Sequence, residues 1–226
     1  MNEFQRTEAW RQARLGKLTG SRIADATAKT KTGWSASRQT YMAELLCERL
    51  TGQPTISYVS KAMQDGIDRE PAAITIYEFE RNVTVDLVGF VPHHRIPMAG
   101  CSPDGVIGDD GAISVKCPLP STHLETLLGA SIDGGYIKQI FWEMGCTGRK
   151  WHDWVSYCPL FPPELQMEIR RIYRDDVKIF ELEKQGEQFL AELDAKHQAL
   201  IETARGRGGD SLRKALEASI ARETAA

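Results

Sequence analysis

The sequence predicts an α/β fold, a mixed central sheet flanked by helices with extra helices at the C-terminus, and three observations carry that expectation. Apolar residues recur at helical spacing early in the chain, at a two-residue period in its middle, and at helical spacing again over a long C-terminal stretch. The segments follow in the order helix, helix, three strands, helix, two strands, helix, which suits a sheet covered by helices. The chain has 226 residues, 42% of them hydrophobic and 26% charged, enough to bury one sizeable core with the balance of an ordinary globular protein.

In "YMAELLCERL", Tyr41, Met42, Leu45, Leu46 and Leu50 form one helical stripe, and the breaker "TGQP" ends it. "DGIDREPAAITIYEFE" carries Gly66 and Pro71 near its start, then Ala73, Ile74 and Tyr77 at helical spacing, which predicts a second helix with Glu70 in or beside its first turn. In "NVTVDLVGFV", Val83, Val85 and Leu87 alternate with Thr84 and Asp86, the period of a strand. "IPMAGCSPDGVIG" and "GAISVKC" predict two more strands, joined through Gly108, Asp109, Asp110 and Gly111 as in a hairpin. "GGYIKQIFWEMG" predicts a helix, and "WHDWVSYCP" and "LQMEIRRIYR" predict closing strands. Phe189, Leu190, Leu193, His197, Leu200 and Ile201 stripe a long last helix. One domain is expected over 1–204, with "RGRGGD" opening a flexible break and a helical tail over 205–226.

No apolar run approaches membrane-spanning length, and "MNEFQRTEAWRQ" lacks the apolar stretch of a secretion signal, so a cytoplasmic protein without membrane attachment is expected. A net charge of -3 gives no global electrostatic case for a nucleic-acid partner, so such binding needs a local concentration of Lys and Arg. Cys47, Cys101, Cys117, Cys146 and Cys158 form no CxxC pair, and the odd count predicts reduced thiols. The spacing of Cys146, His152 and Cys158 is not that of a zinc finger, and they read as core or surface residues.

Chemistry gathers in "CSPDGVIGDDGAISVKCP". Strand alternation puts Ser114 and Lys116 on one face and turns Ile113 and Val115 to the core, while Asp104 ends the preceding strand and can meet them. A glutamate at 114 would complete two carboxylates and an ammonium beside the Val115 carbonyl, a set of hard oxygen donors that suits Mg²⁺. Two such ions about 4 Å apart can turn a bound water into hydroxide and steady both oxygens of a phosphodiester displacement. Taken alone the motif is weak, because Asp-Gly turns that lead to exposed lysines are common in hairpins.

Four stretches, "AWRQARLGKLTGSR", "KAMQDGIDREPAAITIYEFE", "CSPDG" with "VKCP", and "YIKQ", resemble in order and spacing the phage lambda exonuclease group over most of residues 8–200. These are the YqaJ-type viral recombinases of the PD-(D/E)xK nuclease superfamily. The resemblance implies a restriction-endonuclease-like core and a ring-shaped homotrimer enclosing DNA. It implies Mg²⁺-dependent 5′→3′ digestion of double-stranded DNA, releasing mononucleotides and leaving a 3′ single strand for recombination with a single-strand annealing protein. A bacterial host cytosol and a phage or prophage origin go with it.

For the site, the resemblance implies two Mg²⁺ ions, with Mn²⁺ as a substitute, held by Asp104, the main-chain oxygen of Val115 and the residue at position 114. Lys116 would be the catalytic lysine and Glu70 an acid supporting the metal site; by itself Glu70 reads as an acid favouring a helix N-terminus. Arg14, Thr19 and Ser21, joined by Ser102, would hold a 5′-terminal phosphate, where the residues alone read equally well as an amphipathic segment with an exposed Arg and a Ser/Thr cap. Met63 falls where related enzymes wedge an apolar side chain between bases, or it is core. Lys29, Lys31 and Trp34 in "AKTKTGWSASR" suit a flexible loop touching DNA, or a solvated one. Gln139 matches the first of two family glutamines, and Phe141 replaces the second.

Ser114 stands where the family pattern has glutamate, and a short neutral hydroxyl cannot replace a carboxylate on Mg²⁺ without help from water. Three explanations compete: a deliberate Glu to Ser exchange that stops cleavage, which is favoured; a natural departure in which Glu70, Glu143 or a water supplies the ligand; or a shifted register in which Asp109 or Asp110 does. The chain is then an impaired exonuclease, or alternatively a non-catalytic DNA-end binding protein of the same fold; an endonuclease that nicks closed circles ranks below both.

Overall fold

A four-stranded sheet organises the molecule, which the computed structural model describes over residues 5–55 and 60–206. Its strands are β6 (Gly105–Ile107), β7 (Gly111–Lys116), β8 (Trp151–Tyr157) and β9 (Met167–Tyr173), side by side in that order. Ahead of them come α1 (Glu8–Arg14), β1 (Leu18–Thr19), a 3-10 turn at Gly20–Arg22, α2 (Ile23–Ala26), β2 (Lys29–Thr30), β3 (Gly33–Trp34), α3 (Ala36–Thr51), α4 (Lys61–Arg81), β4 (Val91–Pro92) and β5 (Ala99–Cys101). Between β7 and β8 lie α5 (Pro120–Leu127) and α6 (Gly134–Thr147), and α7 (Asp176–Gly206) follows β9. β6–β7 and β8–β9 pair antiparallel, whereas β7–β8 pair parallel. A parallel neighbour cannot be reached by a tight turn, so α5 and α6 form the crossover, and the sheet is mixed as expected.

Strand alternation then assigns the layers. Ile113, Val115, Val155 and Tyr157 face α4, where Ala73, Ile74 and Tyr77 meet them in one buried cluster. The opposite face carries Trp154 into a second cluster with Ile140, Trp142 and Met144 of α6 and Phe189, Leu190 and Leu193 of α7. Ser114 pairs with Trp154 in register, so it lies on the α6 side.

Four expectations need correction. α4 starts at Lys61, where Ser60 caps it by accepting a hydrogen bond from the Met63 N–H at 3.2 Å, so Glu70 sits in mid-helix and not near the first turn. Pro71 lies inside the helix with its ring exposed; it removes one main-chain donor without ending the helix. The stretch 82–90 is not a strand: among the described residues its main chain pairs with the sheet at one bridge, where Asp86 and Val106 exchange both main-chain hydrogen bonds, at 2.8 and 2.9 Å. Its alternation buries Val85, whose side chain fills the space that a Cβ at Gly105 would need, so the pattern reported burial and not pairing. The expected "IPMAGCSPDGVIG" strand is two strands in different sheets, β5 with β1 and β4, and β6 with β7. Pro103 separates them, having no N–H to give to a ladder. α7 runs to Gly206, through the start of the expected break, and the rest of the tail, 207–226, lies outside the described residues.

Candidate active site

The β6–β7 pairing ends at Gly105 and Ile113. Beyond it the next N–H on that edge of β7, that of Val115, donates to Oδ2 of Asp104 at 2.7 Å. In a strand a residue's N–H and C=O point to the same edge, so the Val115 carbonyl opens toward the same end of the hairpin. Lys116, half-buried, follows with its Nζ 5.2 Å from the ring centre of Tyr136. Burial pulls the Lys116 ammonium down, but Asp104, Glu143, Tyr136 and Glu70 together hold it above its ordinary value. Glu70 points in from α4, its Oε2 held by Arg6 at 2.8 Å. Burial and then Asp104 push the Glu70 carboxyl up against the pull of Arg6. Its mid-helix position removes the helix-terminus explanation for this acid.

Position 114 is filled from the helix side. The Ser114 hydroxyl donates to Glu143 Oε2 at 3.3 Å and lies 3.0 Å from His152 Nε2. The other Glu143 oxygen accepts from Gln139 Nε2 at 2.7 Å, an i, i+4 pair on one face of α6. Ser114, Glu143 and His152 are all buried. Burial pushes the Glu143 carboxyl up to about 7. Burial, then Lys116, pushes His152 down to about 3, so the ring is neutral. His152 Nδ1 has no partner, and a buried orphan N–H is rarer than a buried orphan acceptor. The proton therefore belongs on Nε2, giving a relay in which His152 donates to Ser114 and Ser114 donates to Glu143. Asp109 and Asp110 lie in the turn at the other end of β7, and Asp110 pairs with Lys150 at 2.9 Å, so neither supplies a carboxylate beside Lys116.

Asp104, Glu143 and the Val115 carbonyl are hard oxygen donors of the kind Mg²⁺ takes, and a site with two acids leaves room for the waters that ion retains. Among the described residues no three His, Cys, Asp or Glu side chains form a metal-binding set on their own. Cys146, His152 and Cys158 thus make no zinc site, and all five cysteines are free.

The anion-binding candidates lie next door. Arg14 closes α1 and donates to the hydroxyls of Ser102 at 3.2 Å and Ser21 at 3.4 Å. Trp10 Nε1 also donates to Ser102 at 3.0 Å, and the Arg14 guanidinium lies 4.3 Å over the Trp10 ring. Arg14 and buried Thr19 line a cavity of about 660 Å³ with Arg6, Trp10, Lys17 and Arg22. This is the local concentration of cations that the overall charge does not reveal. Gly20 follows Thr19 of this cavity and lies beside the carboxylate centre, since a Cβ there would lie 3.3 Å from Cys101 Cβ and 3.4 Å from Glu143 Cγ.

The remaining candidates lie apart from this centre or take other roles. Met63 is 55% exposed in the first turn of α4, so the core reading fails. Lys31 is exposed at the tip of the β2–β3 hairpin, a paired element and not an irregular loop. Arg38 covers the Trp34 ring at 3.8 Å, with Lys29 at 4.8 Å. Gln139 is engaged with Glu143, and Phe141 is core. His152 is the site residue that spacing alone misses. A signal for Glu143 exists in "IFWEMG", an acid inside an apolar run that α6 buries.

The model of the YqaJ-like viral recombinase domain matches residues 9–150. The crystal structure of an alkaline exonuclease, LHK-Exo from Laribacter hongkongensis, is similar at a TM-score of 0.84 and 46% identity, covering 89% of this chain and 100% of that one. The same enzyme in complex with dAMP matches equally. A phage-related exonuclease from Haemophilus somnus 129PT shares the fold at a TM-score of 0.61 and 14% identity, over 80% of this chain and 96% of that one. No curated protein matches the chain.

Proposed function

The chain belongs to the YqaJ-like viral recombinase family, and from that premise we propose that it is a Mg²⁺-dependent exonuclease that digests one strand of double-stranded DNA from the 5′ end, releasing mononucleotides and leaving a 3′ single strand for recombination. One observation carries the reading: Ser102, bonded to Arg14 in the cationic cavity, stands two residues before Asp104 at the carboxylate centre. A 5′-terminal phosphate gripped by Arg14, Thr19, Ser21 and Ser102 would leave the next phosphodiester at Asp104, and each release would create a new terminal phosphate for the same grip. That a relative at 46% identity was solved with dAMP, a nucleoside monophosphate, supports mononucleotide chemistry.

In this reading Asp104 and the Val115 carbonyl would hold the metal, which when bound would supply an activated water and a Lewis acid. Lys116, kept as an ammonium by the surrounding acids, neutralises charge on the phosphate in the transition state. Glu70, tied to Arg6, sets the field at Asp104 from the α4 side. Exposed Met63 and Lys31 would meet DNA outside the centre. A homotrimeric ring around the duplex and delivery of the 3′ strand to a single-strand annealing protein complete the proposal.

The test is incubation in Mg²⁺ with a 5′-phosphorylated linear duplex, the same duplex with a 5′-hydroxyl, and a closed circle. Mononucleotides from the phosphorylated duplex, slower release from the hydroxyl form and an intact circle are expected. End-specific binding without release would favour a DNA-end binding protein, and nicked circles an endonuclease.

A further inference from the structure

Glu143 is a buried acid that, among the described residues, has no Lys or Arg at ion-pair distance, although the Lys116 ammonium acts on it from further off. Among the described residues its one partner at ion-pair distance is His152, at 3.6 Å. A buried carboxylate is paired, bound to a metal or neutralised by a proton, and a cation arriving at this one would find its oxygens already aimed. Its position is also closely set. Gln139 holds one oxygen, Ser114 holds the other, and a side chain at Gly20 would press on its stem. The carboxylate thus lies at hydrogen-bond distance from the hydroxyl of residue 114, on the face of β7 that also carries Lys116.

We propose that Glu143, reaching across from α6, is the second metal-binding carboxylate of this centre, and that Ser114 and His152 are positioning residues that aim it. This deepens the exonuclease reading and rests on it. Serine at 114 is then required and is no defect. A glutamate there would crowd two carboxylates into one buried space, where like charges oppose ionisation of both. The acid has moved from strand to helix, while its charge stays at the same point.

Four variants of the full chain test this beside the parent: Glu143→Gln, Ser114→Ala, Ser114→Glu, and Ser114→Glu combined with Glu143→Ser. Mn²⁺ affinity is read by calorimetry, digestion of the 5′-phosphorylated duplex by nucleotide release, folding by thermal melting, and DNA-end affinity in chelator as a control. Glu143→Gln is expected to weaken Mn²⁺ binding by about 100-fold or more and to stop digestion, while end affinity in chelator holds. Ser114→Ala is expected to weaken Mn²⁺ binding by about 10-fold, as loss of a positioning contact does. Ser114→Glu alone should digest no faster than the parent, and the double variant should recover Mn²⁺ affinity to within about 10-fold of the parent. Parent-like Mn²⁺ affinity in Glu143→Gln overturns the proposal, as does a gain of digestion from Ser114→Glu alone. So does a folded double variant that binds Mn²⁺ no better than Glu143→Gln. If the parent digests nothing, the exonuclease reading fails, but the calorimetry still decides for or against Glu143.

Discussion

In the proposed reading Arg14 is the side chain on which selection of a DNA end depends, because among the described residues it alone bonds both Ser102 and Ser21. Arg14→Ala should lower digestion of the 5′-phosphorylated duplex by about 10- to 100-fold, the worth of a charge-assisted hydrogen bond of about 1.5–3 kcal/mol, and should erase the preference over a 5′-hydroxyl. A variant that slows both substrates equally would place Arg14 outside the phosphate contact. Glu143 offers a second measurement, in metal-free protein. Its carboxyl is raised from 4.5 to about 7, so its stabilising contribution is present below about 4.5 and is lost as pH rises through about 7. His152, lowered from 6.5 to about 3, acts in the other direction: its contribution is present above 6.5 and is lost as pH falls toward 3. Glu143→Gln removes only the first of these. In chelator its melting temperature relative to the parent should therefore rise between pH 5 and pH 8, and a difference that does not change with pH would contradict the assignment.

At the scale of elements, the contact between α4 and the sheet turns on a buried polar tie. Tyr77 donates to Asp153 Oδ2 at 2.7 Å, and Arg171 grips both oxygens of the same carboxylate at 2.7 and 2.8 Å. Tyr77→Phe leaves that buried acid one donor short and should cost about 1–3 kcal/mol in thermal or urea unfolding with the duplex preference unchanged; an unaltered unfolding midpoint would refute the tie. α3 and α7 are legible in the sequence because each shows the solvent one face and the core another, whereas β7 and β8, buried along nearly their whole length, and α6, buried from Ile140 to Cys146, are legible as apolar runs bounded by turn residues. Asp104, Val115 and Lys116 are legible as neighbours because one hairpin brings them together. The stretch 82–90 misleads because Val85 is buried without a strand beside it. α4 begins earlier than expected because a Ser60 cap leaves a weaker mark than Pro71 does. The contact of Ser114 with Glu143 spans 29 residues and depends on how the β7–β8 crossover seats α6, which no local spacing records.

At the scale of the molecule, the two faces of the sheet divide the work. The α4 face holds Glu70 and its Arg6 partner, and the α6 face holds Glu143, Ser114 and His152. Asp104 and Lys116 stand at the hairpin end between them. A single protomer contains all of these groups, so a homotrimer is expected to add threading and processivity to a complete centre. Mass measurement in solution should find three chains; a monomer that still releases mononucleotides in long runs would contradict the ring. The most direct test of the centre itself is anomalous diffraction from crystals grown with Mn²⁺ and a 5′-phosphorylated duplex. The account predicts a metal peak bounded by the carboxylates of Asp104 and Glu143 and the Val115 carbonyl, and a peak elsewhere, with Glu143 still closed on Ser114, would contradict it.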